Sequence, residues 1–152
     1  MDLKSCRDTV RQLAFLNSLP ETMTDGLGMI FLWIGFDEVL PDGAVVFEEG
    51  DDKDVTGAVL LRGRVSIARS GGDAVEIAAP ELLGEMQQLT DTAQRTATVT
   101  AVGEVELLRF EWHELVGLAG SMFTPQEQML IRDALAALSK SRAAHESSSS
   151  EA

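Results

Sequence analysis

The middle of the chain alternates short apolar runs with turn-forming residues. The apolar runs occupy residues 44–47, 55–61, 65–68, 75–79, 96–102 and 105–110. Glycine, aspartate and proline separate them, as in Pro41-Asp42-Gly43. Regularly spaced short strands with such turns are typical of an antiparallel barrel or jelly roll. The pattern therefore predicts a mainly β fold in this part of the chain.

Ahead of these runs, the apolar positions follow a helical period. Within residues 8–19 they recur every three or four positions, which predicts an amphipathic helix that ends before Pro20. Thr24 or Asp25 is a suitable N-cap for a second helix that continues to Trp33. Two helices are therefore expected on the N-terminal side of the strands.

Helical patterns return after the strands. Residues 111–118 form a short helical pattern. Thr124 is a suitable N-cap, Pro125 suits the first helical position, and Glu127 can complete a capping box with Thr124. Apolar residues then lie on one stripe as far as Lys140. The sequence thus predicts a longer C-terminal helix, and the polar, serine-rich residues 145–152 predict a disordered tail.

The net charge of the chain limits which classes of molecule it can bind. The 152 residues include 25 acidic and 12 basic residues, which gives a net charge of −13. Such a chain repels nucleic acids and anionic lipids, so no nucleic-acid partner is expected. The longest apolar run, residues 27–36, is too short to span a bilayer, which argues against membrane insertion. One cysteine, Cys6, cannot form an internal disulfide, and a cytoplasmic protein is the expectation.

The segment from Gly84 to Arg95 contains the candidate chemistry. Glu85 precedes Arg95 by ten residues. A guanidinium offers a fork of donors that suits phosphate oxygens, and a carboxylate accepts hydrogen bonds from ribose hydroxyls. A helical turn that begins at Gly84 would also direct free N–H groups at an anion. Together these residues predict a site for a ribose phosphate.

Gly84-Glu85 and Arg95-Thr96-Ala97-Thr98-Val99 resemble the phosphate-binding cassette of the cyclic nucleotide-binding domain family. The resemblance extends over residues 41–73 and 102–118, about half to two thirds of the chain. It implies a jelly-roll barrel (double-stranded β-helix) with N-terminal helices and a C-terminal lid helix. It also implies cAMP or cGMP as the ligand, and no further cofactor. The ligand-binding residues expected from it are Gly84, Glu85, Met86, Gln87, Arg95, Thr96, Ala97 and Arg132.

The resemblance also implies a regulatory sensor, not an enzyme. Its expected parts are an N-terminal helical segment (1–35), a nucleotide-binding barrel (36–118), a lid helix (119–144) and the tail (145–152). Movement of the lid helix would signal to an unknown protein partner or to a second copy in a homodimer. No metal site is expected, because His113 and His145 lie outside the predicted strands.

Alternatives stay open for the function of the fold and for the roles of three residues. In the family, a small residue usually occupies the position of Gln87, so the fold could have lost its ligand and act as a structural or protein-interaction domain. Arg95 could then form only an ion pair, for example with Asp91. Thr96 is compatible with a guanine or a phosphate contact, and Arg132 with a base contact or a solvated position.

Overall fold

The computed structural model of the chain describes residues 1–84 and 95–151, with side chains as far as residue 141. Four α-helices and one 3₁₀ helix (Ala14–Ser18) flank six strands in these residues. The helices are α1 Leu3–Val10, α2 Glu21–Ile34, α3 Trp112–Met122 and α4 Pro125–Glu151. The strands are β1 Phe36–Leu40, β2 Val45–Phe47, β3 Thr56–Ala68, β4 Val75–Ala78, β5 Glu81–Leu83 and β6 Thr98–Glu111.

All described strand pairs are antiparallel, and β3 and β6 form the centre of the sheet. The order is β1-β6-β3-β4, with β2 also paired to β6 and β5 to β3. The predicted mainly β fold with flanking helices is confirmed. The predicted barrel is not: among the described strands the hydrogen-bonded order is open at both ends, so the sheet does not close on itself.

Each of the two central strands was predicted as two separate strands, and this was wrong. β3 pairs with β6 from Thr56 opposite Glu111 to Ala68 opposite Thr98. The glycines that separate the apolar runs, Gly63 and Gly103, have φ angles of 95° and 75°. Glycine adopts such angles without strain, and a register shift in β3 falls at Arg62/Arg64, beside Gly63. Glycine therefore permits an irregularity within the strand and does not end it.

The alternation of side chains along the sheet divides the buried residues into two clusters. The inner core is formed by Val46, Phe47, Ala58, Leu60, Val65, Ile67, Leu83, Val99, Ala101, Val105 and Leu107. The helix core joins buried residues of the helices to Val59, Leu61, Leu82, Leu108 and Phe110 of the sheet. Successive residues of a strand point to opposite faces, so β3 and β6 contribute to both cores.

The N-terminal helices differ from the predicted ones. Residues 8–19 are not one helix, because α1 ends at Val10 and a turn precedes the 3₁₀ helix. α2 begins at Glu21, directly after Pro20, and Thr24 lies inside it, where its hydroxyl donates to the carbonyl of Leu16 at 3.1 Å. The helix ends at Ile34 and is followed by Gly35, where a Cβ atom would approach Leu108 Cγ to 2.4 Å. Close contact between the helix end and the sheet therefore requires glycine.

The capping box of the last helix is confirmed. The Thr124 N–H donates to Glu127 Oε1 at 2.9 Å, and the Glu127 N–H donates to Thr124 Oγ1 at 3.1 Å. Ile131, Ala134 and Leu135 pack into the helix core. The backbone of α4 is helical as far as Glu151, whereas the sequence predicts disorder from residue 145, so the helix continues past the predicted boundary. The division into domains stays a prediction.

None of the described helices combines the length and apolar character that crossing a lipid bilayer requires.

Candidate functional site

The backbone of Arg95 is fixed to the turn that precedes β3. Its N–H donates to the carbonyl of Asp51 at 2.9 Å, and its carbonyl accepts from the N–H of Gly50 at the same distance. Arg95 is 5% exposed, so its guanidinium lies inside the protein. Two backbone hydrogen bonds therefore hold a charged side chain in an interior position.

The guanidinium of Arg95 is only partly satisfied. Its Nη2 lies 3.0 Å from an Asp54 carboxylate oxygen and donates to the carbonyl of Thr56. The Phe47 ring stacks on the group, with Cζ 4.0 Å from the ring centroid. Nε and Nη1 are buried and have no hydrogen-bond partner among the described residues. Buried donors are almost always paired, so these two nitrogens indicate an incomplete site.

Burial and the charge of the partner shift the pKa values of Arg95 and Asp54 in opposite directions. Burial lowers the pKa of the Arg95 guanidinium, and the negative charge of Asp54 opposes this effect. Burial would raise the pKa of the Asp54 carboxyl, but hydrogen bonds from the Thr56 hydroxyl (2.6 Å) and N–H (2.9 Å), together with Arg95, lower it overall. Arginine stays protonated in proteins, so both groups are charged at neutral pH.

Gly84 lies directly beside the free end of the guanidinium. Its φ angle is 88°, in the left-handed region that favours glycine. A Cβ atom at this position would be 2.9 Å from Arg95 Nη1 and 3.3 Å from Phe47 Cζ. The structure thus brings Gly84 and Arg95 together, and only glycine allows the backbone to come this close.

A second arginine shares the same aromatic ring. The guanidinium carbon of Arg109, on β6, lies 5.3 Å from the centroid of Phe47. Unlike Arg95, it uses its donors on the carboxylate of Glu38 at 3.0 and 3.3 Å, on the Val46 carbonyl and on the Thr56 hydroxyl. The protein therefore satisfies the donors of Arg109, whereas two donors of Arg95 have no partner among the described residues.

Asp54, Phe47 and Arg109 were missed by the sequence analysis. Phe47 ends an apolar run and Asp54 follows a run of aspartates, so each was interpreted only as strand or turn. Asp54 and Phe47 contact Arg95, and Arg109 contacts Phe47, over separations of about 40 to 60 positions, for which a single sequence carries no direct signal.

The remaining candidate residues are placed as follows. Thr96 and Ala97 are half-buried, and Ala97 packs against the inner core. β6 begins two residues later than predicted, at Thr98, whose hydroxyl accepts from the Glu49 N–H at 3.0 Å. Glu85, Met86 and Gln87 lie outside the described residues.

Arg132 is exposed on α4 and lines an apolar cleft of about 240 Å³ with Leu27, Trp112 and Gln128. Among the described contacts, none joins Arg132 to Arg95. The structure therefore brings together Gly84 and the Arg95-Thr96-Ala97 segment but gives Arg132 a different setting.

One group of side chains has the donors for a metal ion. Single ligand atoms of Glu111, His113 and Glu114 lie within 4.8 Å of one another at the start of α3. The His113 ring is 71% exposed and 3.4 Å from Glu111. Exposed groups of this kind are common without a metal, so the arrangement adds nothing to the site around Arg95.

A family model described as the cyclic nucleotide-binding domain matches residues 37–121, more than half of the 152-residue chain. The chain belongs to the cyclic nucleotide-binding domain family. The family predicted from the cassette residues is thereby confirmed, and so is its jelly-roll fold. Gly84 and Arg95, with the contacts described above, lie inside the matched range.

Solved structures support the same fold. A cyclic nucleotide binding protein from Ruegeria pomeroyi aligns with 95% of this chain and 62% of its own, at a TM-score of 0.68 and 21% identity. The catabolite activator protein of Thermus thermophilus aligns with 86% of this chain and 58% of its own, at a TM-score of 0.63 and 24% identity. The regulatory domain of Toxoplasma gondii PKA with cAMP aligns with 77% of this chain and 45% of its own, at a TM-score of 0.61 and 18% identity. The chain thus spans less than two thirds of these three relatives. No curated protein sequence matches it.

Proposed function

We propose that this cyclic nucleotide-binding domain binds cAMP or cGMP and acts as a regulatory sensor without catalytic activity. The observation that carries the proposal is the buried guanidinium of Arg95, whose Nε and Nη1 have no partner among the described residues. A phosphate oxygen is the acceptor that such donors match best, and a charge-assisted hydrogen bond to a buried guanidinium is strong. The similar Toxoplasma gondii domain is described with cAMP, which supports this class of ligand.

The other predicted residues complete the proposed site. The backbone at Gly84 borders the phosphate position because it lies beside Nη1 of Arg95. Glu85 accepts from the ribose hydroxyl, and Met86 and Gln87 border the same sugar and phosphate. Thr96 and Ala97 follow Arg95 and line the approach to the ligand. Arg132 on α4 is a candidate base contact.

We further propose that the C-terminal helix transmits the signal. α4 packs on the helix core through Ile131, Ala134 and Leu135, and its exposed side holds Met129 and Leu130. A ligand can shift such a helix only by its difference in affinity for the two positions, typically a few kcal/mol. The output then passes to a protein partner or to a second copy, in the cytoplasm as the sequence predicts.

Isothermal titration calorimetry with cAMP, cGMP and cyclic di-GMP tests the proposal. We expect micromolar or tighter binding of one of them. Arg95→Ala removes charge-assisted hydrogen bonds worth about 1.5–3 kcal/mol each, so the affinity should fall at least about tenfold. Arg64→Ala, an exposed arginine of β3, is the matched control and should bind as the wild type does.

The alternative is a domain of this family that binds no ligand and serves a structural or interaction role. The ion pair of Arg95 with Asp54 favours it, because this contact already gives the guanidinium a partner inside the protein. Absence of binding heat for all three nucleotides, together with a folded protein, would support this alternative and contradict the sensor.

A further inference from the structure

Helices α1 and α2 leave an apolar groove open to solvent, far in sequence from Arg95. This α1–α2 groove has a volume of about 480 Å³, and its apolar lining consists of Leu3, Gly28, Met29, Leu32 and Trp33. Leu3 is 74% exposed, Met29 67% and Trp33 84%. Large apolar side chains exposed side by side mark an interaction surface more often than isolated ones do. Tryptophan is also a residue type enriched at the energetic centre of interfaces.

Gly28 contributes backbone without a side chain to the lining of the groove. It is buried, yet a Cβ atom there would meet only Val10 Cγ1, at an ordinary 3.8 Å. Packing between α1 and α2 therefore does not demand glycine, although glycine inside a helix costs about 1 kcal/mol relative to alanine. Trp33 continues the surface on the other side, where it lines a second depression with Ile34 and Leu118.

The charged residues that line the groove are Arg7, Arg11 and Asp25, so their sum is positive although the chain as a whole is acidic. Lys4, Arg7 and Arg11 are three and four residues apart, so they share one side of α1, and Arg7 and Arg11 line the groove. Arg11 pairs with Asp25 at 2.7 Å, whereas Arg7 has no ion pair among the described residues. A chain of net charge −13 thus presents a local positive rim beside its most exposed tryptophan.

We propose that the α1–α2 groove binds an amphipathic helix of a partner protein, with its apolar face in the groove and carboxylates beside that face at Arg7 and Arg11. A helix is the fitting element because both walls are helices, whose backbone groups are bonded internally and cannot pair with a strand. A second copy fits less well. A two-fold contact places the same patch against itself, which would bring the two positive rims together.

A displayed library of helices tests this on the full-length chain. Each member has about 18 residues, five helical turns, with a fixed apolar face and flanking positions randomised among glutamate, glutamine and lysine. We expect selection to enrich glutamate over lysine at least about tenfold. The best sequence is then synthesised, and its binding is followed through Trp33, because the other tryptophan, Trp112, is buried. Emission of Trp33 should shift to shorter wavelength on binding.

Variants locate the site. Because Trp33→Ala removes the fluorescent probe, the affinities of all variants are measured by isothermal titration calorimetry. Trp33→Ala should weaken peptide binding at least about tenfold, and Arg7→Glu about fivefold. Both residues are exposed, so the fold should persist, and circular dichroism verifies this. Met129→Ala and Lys140→Glu make matched changes on α4 and should stay within about twofold of the wild type. No enrichment, enrichment of lysine, or equal effects of the α4 variants would overturn the proposal. So would a dimer in sedimentation that Trp33→Ala dissociates, since it would assign the groove to a second copy.

Discussion

Replacement of Arg95 by methionine separates a ligand-binding role from a structural one. Each unsatisfied buried donor of the wild type, Nε and Nη1, costs about 1–3 kcal/mol, and methionine removes both. The losses are the two charge-assisted contacts to Asp54 and Thr56, at about 1.5–3 kcal/mol each, and the stacking on Phe47, at about 0.5–2 kcal/mol. The losses, about 3.5–8 kcal/mol, exceed the gains, about 2–6 kcal/mol, so the free energy of unfolding without ligand should fall by only about 2 kcal/mol.

Urea unfolding followed by far-ultraviolet circular dichroism measures this change, and Arg109→Met is the matched control. Arg109 stacks on the same ring but bonds to Glu38, Val46 and Thr56. Both replacements remove the arginine partner of a carboxylate, but only Arg95→Met also removes unsatisfied buried donors, so Arg109→Met should cost more, about 3–5 kcal/mol for a buried ion pair and somewhat less for this partly exposed one. An Arg95→Met variant that loses as much as Arg109→Met would refute the reasoning and show that the protein needs Arg95 for stability.

Three further changes test other parts of the structure. Gly84→Ala adds a methyl group 2.9 Å from Arg95 Nη1 at a φ of 88°. The free energy of unfolding, measured by thermal unfolding, should therefore fall by about 1–2 kcal/mol, and calorimetry should show weaker nucleotide binding. An unchanged melting temperature would contradict the contact. The lowered pKa of Asp54 means that its stabilising effect is present above its unfolded pKa of about 3.9 and is lost as pH falls through the folded pKa. The urea midpoints of the wild type and Asp54→Asn should therefore differ at pH 7 and converge below about pH 4; a constant difference would contradict the assignment. Thr124→Ala should cost about 1 kcal/mol, and a double-mutant cycle with Glu127→Ala should show coupling, whereas additive effects would contradict the capping box.

Features fixed by neighbouring residues were predictable from the sequence. The capping box of Thr124 and Glu127 depends on residues three positions apart, and the structure contains it. The cassette residues Gly84 and Arg95 identified the family because the motif is local. The single helix predicted over residues 8–19 is wrong. Apolar spacing indicates which side chains are buried, but it does not reveal the turn after Val10.

Features that depend on distant residues were not predictable. Phe47 on β2 and Asp54 in the segment before β3 became part of the site only because the fold places them beside Arg95, about 40 to 50 positions further along the chain. The short strands β1 and β5 were missed because few residues carry their pattern. Gly63 and Gly103 were interpreted as ends of strands, since sequence cannot distinguish a turn from an irregularity that a partner strand supports.

The central pair of strands is also the common wall of the two cores. In β3, Ala58 and Leu60 belong to the inner core, while Val59 and Leu61 belong to the helix core. A slip of one residue between β3 and β6 would exchange these two sets at once. Loss of the shared pair would disrupt both cores together, because each core includes residues of both strands. We therefore expect the sheet and the two cores that it joins to unfold in one cooperative transition.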